Sequence, residues 1–146
     1  MPYLDKICTV KVTGKELKDI VETVQSKGKG FYPSSNLKQT IKIEKDGNKT
    51  VTNVEIYKNG NLMKINDEDE YVMASSLFVL SETSGEDFAK GKAFKVIHEK
   101  AINKKVTCSN ETIDNEMASY FKGKGVIDLS KKVDETRPRI VIEKEN

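Results

Sequence analysis

The sequence predicts an α+β domain, a mixed and largely antiparallel β-sheet with helices packed on it. Three observations predict it. Short β-branched runs recur along the chain, turns bearing glycine and asparagine separate them, and a few stretches place apolar residues at helical spacing.

The first strand is ICTVKVT at residues 7–13, rich in β-branched residues. It leads into a helix, because GKELKDIVETVQS sets Leu17, Ile20, Val21 and Val24 on one face. Thr13 and Glu16 have the spacing of a capping box, in which hydroxyl and carboxylate each satisfy an orphan amide at the helix start. Gly28 and Gly30 end the helix.

LKQTIKIE and TVTNVEIY then read as a hairpin across a turn containing Asp46, Gly47 and Asn48, with Ile41, Ile43, Val54 and Ile56 on one face. A further turn at Asn59, Gly60 and Asn61 precedes the short apolar LMKI. An acidic loop, NDEDE, leads into YVMASSLFV, long and apolar enough for a buried strand. AFKVIHEK reads as helix or strand. The next helix carries Ile113, Met117, Tyr120 and Phe121 on one face, with Asn110, Glu111 and Asp114 suited to its N-terminus. Residues 122–136 read as a charged loop, and RPRIVIE closes the chain as a strand.

At 146 residues the chain fits one domain, 1–146, with enough length to bury a core unaided by metals or disulfides. Its 25 basic residues are nearly cancelled by 23 acidic ones, and Arg137 and Arg139 are its only arginines, so no stripe suited to a nucleic-acid backbone is present. No apolar run approaches the roughly 20 residues of a membrane helix. Cys8 and Cys108 lie far apart without metal-like spacing, so free core thiols are expected in preference to a disulfide. Glycosylation sequons at Asn48 and Asn110 carry little weight, since a chain this rich in Asn, Ser and Thr would show one or two by chance.

No P-loop, G-x-S-x-G elbow or metal-ligand cluster can be assembled. His98 is the only histidine and is expected to be structural or on the surface.

Four stretches, in order, resemble the C-terminal domain of the 5'-nucleotidase family, which includes UDP-sugar hydrolases. MPYLDKICTVKVTGKELKDIV is similar to the family's LPFGN, short strand and T-G-x-x-L helix start, with Tyr3 in place of Phe, Asp5 in place of Asn, and Thr13, Gly14 and Leu17 matching directly. Gly30 and Phe31 resemble a G-x-F segment, which makes Phe31 a core residue. YVMASSLFVLSETSGEDF resembles Y-x-V-x-x-x-x-F-L-x-x-G-G-D-G-F, with Tyr71 and Phe78 at the family's separation and Ser84, Gly85, Glu86 and Asp87 where Gly-Gly-Asp-Gly is expected. Arg139 and Ile140 resemble the start of the family's last strand.

The resemblance implies a nucleoside or nucleotide ligand. Tyr3 and Phe78 would sandwich the base, and Glu86 or the adjacent Asp87 would accept hydrogen bonds from the ribose hydroxyls. An ionised acid offers only acceptors and a vicinal diol supplies two donors, so the pairing is chemically apt. Stacking is sequence-tolerant, so broad base specificity is expected. The bland alternatives are a core Phe78, a terminal Tyr3 and a solvated acidic loop.

Hydrolysis in the family uses two divalent metal ions in an N-terminal metallophosphatase domain, expected to be absent here together with its D-x-H and G-N-H signatures. The N-G-G-G-I-R stretch that normally completes the pocket is also missing. The chain itself is therefore expected to hold no cofactor and no catalytic residue. Its expected partners are a nucleotide and that N-terminal domain, with neither nucleic acid nor membrane in contact. An extracellular, cell-surface or periplasmic parent is suggested. The competing reading is a binding or scaffold module of the same fold that has lost nucleotide affinity, motivated by Tyr3, Glu86 and the longer loop after Phe78.

Overall fold

A computed structural model describes residues 5–28, 30–80, 95–101, 103–124 and 137–144. The element order is β1 (Ile7–Thr13), α1 (Gly14–Lys27), β2 (Leu37–Ile43), β3 (Lys49–Lys58), β4 (Asn61–Lys64), β5 (Glu70–Ser76), α2 (Leu77–Leu80), α3 (Lys95–Ala101), β6 (Thr107–Cys108), α4 (Ile113–Phe121) and β7 (Ile140–Lys144). The strands divide between two sheets, ordered β5-β1-β6 and β4-β3-β2-β7. Among the described residues all pairings are antiparallel except β2 with β7, so the fold is α+β and largely antiparallel as the sequence predicts, but in two sheets where one is expected.

β1 is central in its sheet and alternates, with Cys8, Val10 and Val12 buried. Against it lie Leu17, Ile20, Val21 and Val24 of α1, together with Leu37, Ile65, Leu80, Val96, Ile97 and Ala101. α1 thus contacts β1 and β5 on one side and β3 on the other. The capping box forms: Thr13 Oγ1 accepts the Glu16 amide at 3.2 Å and the Glu16 carboxylate accepts the Thr13 amide at 2.8 Å. The first two helical amides, on Gly14 and Lys15, go to the carbonyls of Asp69 and Asp67 at 2.9 and 3.1 Å. The acidic loop therefore closes the helix start with its backbone, while its side chains pair outward: Asp67 with Lys18 at 2.9 Å and Glu70 with Lys11 at 2.6 Å.

The β2–β3 hairpin carries a bulge. Thr40 pairs with Asn53 and Ile41 with Val51, leaving Thr52 without a partner in the register; its hydroxyl bonds the Thr40 carbonyl at 3.3 Å. The extra residue reverses the parity of β3, so Val54 and Ile56 reach the core on one side of it and Val51 on the other. On β2 the buried set is Leu37, Gln39 and Ile41, which places a polar residue where the apolar pattern anticipates none. Gln39 is satisfied: its Oε1 accepts from Gln25 Nε2 at 2.7 Å, and Gln25 bonds both the amide and the carbonyl of Tyr32.

Three expectations about single elements are corrected. Cys8 and Cys108 are not free thiols but a disulfide, because β1 and β6 pair with these two residues directly opposite; sequence separation is no obstacle once the sheet forms. YVMASSLFV is not one buried strand: β5 ends at Ser76, lies at a sheet edge and leaves Val72 69% exposed. Phe31 is not core but exposed, with Lys49 Nζ 5.2 Å above its ring. The predicted apolar face of α4 is helical as expected, yet Met117, Tyr120 and Phe121 are all exposed.

Candidate functional site

Of the four sequence-predicted binding residues, Phe78 alone falls among the described residues; Tyr3, Glu86 and Asp87 lie outside them. Phe78 is half-buried and sits in α2, one helical turn, not at the end of a strand.

So short a helix cannot stand on its own hydrogen bonds. Its first three amides each find an outside acceptor instead. The Leu77 amide donates to the Lys6 carbonyl at 2.8 Å, that of Phe78 to Asp5 Oδ1 at 3.0 Å, and that of Val79 to Ser76 Oγ at 3.3 Å. At the other end His98 Nδ1 lies 3.0 Å from the Leu80 carbonyl oxygen. A carbonyl only accepts, so Nδ1 carries the proton there.

Asp5 joins three segments. Besides Phe78, its Oδ1 accepts the Lys6 amide at 2.9 Å, and its carbonyl accepts the Ile113 amide, the first of α4, at 2.8 Å. The chain two residues beyond Tyr3 is thereby fastened to the start of the Phe78 turn. Sequence reasoning registers Asp5 only as a replacement for asparagine and His98 only as a lone imidazole. The usable signal is the acceptor side chain near the N-terminus, and nothing local indicates which amide it meets.

A cavity of about 620 Å³ lies elsewhere, between α1, β5 and the segment leading into β2, lined by residues such as Val24, Tyr32, Leu37, Ile56 and Met73 but not by Phe78. Gln25 and Gln39, its buried polar residues, are spent on each other and on Tyr32. Its lining is mostly the apolar core, with Ser34, Ser35, Asn36 and Ser75 as further polar residues.

Among the described residues the perturbed titrating groups also lie away from Phe78. Burial pushes the Glu16 carboxyl up, but the Lys104 ammonium and the Thr13 amide outweigh it and hold the group below its ordinary value. Burial lowers Lys49, whose Nζ donates to the Gly28 and Gly30 carbonyls at 2.7 and 2.6 Å. The hydrogen bond to Asp19 raises Lys100. All three serve the ends and flank of α1. Among the described residues no group of three or more His, Cys, Asp and Glu is placed to hold a metal ion. No helix among them is long and apolar enough to cross a membrane.

The candidate site is thus a turn fastened at both ends, whose aromatic residue, Phe78, has its amide bonded to Asp5. The sequence profile of the 5'-nucleotidase C-terminal domain matches residues 1–91, and the chain belongs to that family. Solved structures of related name share the fold. The NAD nucleotidase of Haemophilus influenzae superposes with a TM-score of 0.69 at 13% identity, covering 100% of this chain and 25% of that one. The 5'-nucleotidase precursor of Thermus thermophilus gives 0.70 at 16% identity, covering 100% and 27%. The chain thus spans about a quarter of the length of either. A search of curated protein sequences finds no match.

Proposed function

We propose that this chain is the nucleotide-recognition domain of a 5'-nucleotidase-type metallophosphoesterase. The base stacks on Phe78 with Tyr3 on its opposite face, and Glu86 or Asp87 accepts the ribose hydroxyls. Hydrolysis of the ester would fall to the family's N-terminal metallophosphatase domain, whose two divalent ions would supply water activation and charge stabilisation. The chain's own part is to bind and orient.

The observation that carries this reading is the placement of Phe78, the residue matching the family's base-stacking position, on a turn whose opening amides are all bonded. Preorganisation of that kind reduces the ordering cost of binding. Base stacking on one aromatic face contributes roughly 1 to 3 kcal/mol. Phe78→Ala is accordingly expected to weaken adenosine binding by about 5- to 150-fold, and Phe78→Tyr to retain it. Equal affinity of wild type and Phe78→Ala would leave the second reading, a scaffold module of the same fold with no base clamp.

A further inference from the structure

We infer that Asp5 is a positioning residue for Phe78, with His98 holding the far end of the same turn. The inference rests on the nucleotide-recognition reading and extends it to residues that do not touch the ligand.

A four-residue helix has more orphan backbone groups than residues, so its geometry is set by whatever satisfies them. Asp5 Oδ1 supplies the acceptor for the Phe78 amide itself, at 3.0 Å, from 73 residues away in sequence. Lys6 and Ser76 satisfy the amides on either side, but Lys6 does so through its backbone, whose path the Asp5 side chain also fixes by bonding the Lys6 amide. Asp5 therefore acts on the turn twice, directly at Phe78 and through the strand entry at Leu77. His98 closes the turn from α3, whose Val96, Ile97 and Ala101 are buried in the core. The aromatic ring is thus carried on a backbone referred to β1 at one end and to the core at the other.

The chemistry distinguishes the useful variants. Asparagine keeps a carbonyl oxygen at the Oδ1 position, whereas alanine removes the acceptor and leaves the Phe78 amide without it. Charge is not what the contact needs; an acceptor is. Asp5→Asn should therefore preserve function and Asp5→Ala should not.

The test compares wild type, Asp5→Asn, Asp5→Ala and His98→Ala, all of this chain, by adenosine affinity and by hydrogen exchange at the Phe78 amide. Asp5→Ala is expected to accelerate exchange at Phe78 and weaken adenosine binding about tenfold, with Asp5→Asn restoring both. His98→Ala is expected to weaken binding several-fold through the other end of the turn. Should Asp5→Ala fail to fold, Asp5→Leu, close to aspartate in shape but with no acceptor, takes its place. Tight binding by every Asp5 variant in a wild type that binds adenosine overturns the inference. A wild type that binds no adenosine sinks the functional reading instead, and the fastening then stands or falls on the Phe78 amide: unchanged exchange in the acceptor-less variant overturns it.

Discussion

The carbonyl oxygen of Asn66 stands where a Cβ on Gly14 would have to lie, and Ile65 Cγ2 crowds the same space at 2.8 Å. The acidic loop can cap α1 with its backbone only because the first helical residue has no side chain. Gly14→Ala must push that loop away and stretch the bonds from Gly14 and Lys15. It is expected to cost about 1–3 kcal/mol, as overpacking does, seen as a fall of several degrees in Tm. An unchanged Tm would show the loop to be free to move.

Cys8 and Cys108 close a loop across 100 residues of sequence, and Cys8 is fully buried. Chain purified without reductant is expected to show no free thiol on denaturation. Cys108→Ala should lower stability by about 2–5 kcal/mol. Two titratable thiols in the denatured, unreduced chain would contradict the disulfide.

Glu16 links the capping box to Lys104, and its pKa in the folded chain lies below the ordinary 4.5 despite the opposing effect of burial. A lowered folded value means that the contribution is present above the unfolded value and is lost as pH falls through the folded one. Glu16→Gln keeps an acceptor for the Thr13 amide but loses the charge. The stability gap between wild type and Glu16→Gln is therefore expected to be full near neutrality and to shrink as pH falls below the ordinary carboxyl value of 4.5 and through the lowered folded one. A gap independent of pH, measured by thermal melts across that range, would assign the effect to packing alone.

How much of this is legible in the sequence follows from where the determining contacts lie. α1 announces itself because its cap, period and terminating Gly28 are all local, and every one of them forms. The hairpin is equally plain, although its bulge at Thr52 is not, since nothing in TVTNV marks which residue is extra. YVMASSLFV hides a change from strand to helix turn because Leu77, Phe78 and Val79 are as apolar as a strand; the switch is imposed by Asp5 and Lys6, more than 70 residues earlier. Gln39 takes a core place that periodicity reserves for apolar residues, compensated by Gln25 across the fold. For the candidate site, the motif resemblance singles out Phe78, while Asp5 and His98 become visible only through the turn they fasten.

The most direct test of nucleotide recognition is a titration of the isotopically labelled chain with adenosine and AMP, using ribose as the sugar control, read at the Phe78 amide and ring. Saturable shifts at Phe78 with both nucleoside and nucleotide, and none with ribose, are the predicted result. Shifts absent at millimolar adenosine, in a chain whose spectrum shows it folded, would contradict the account.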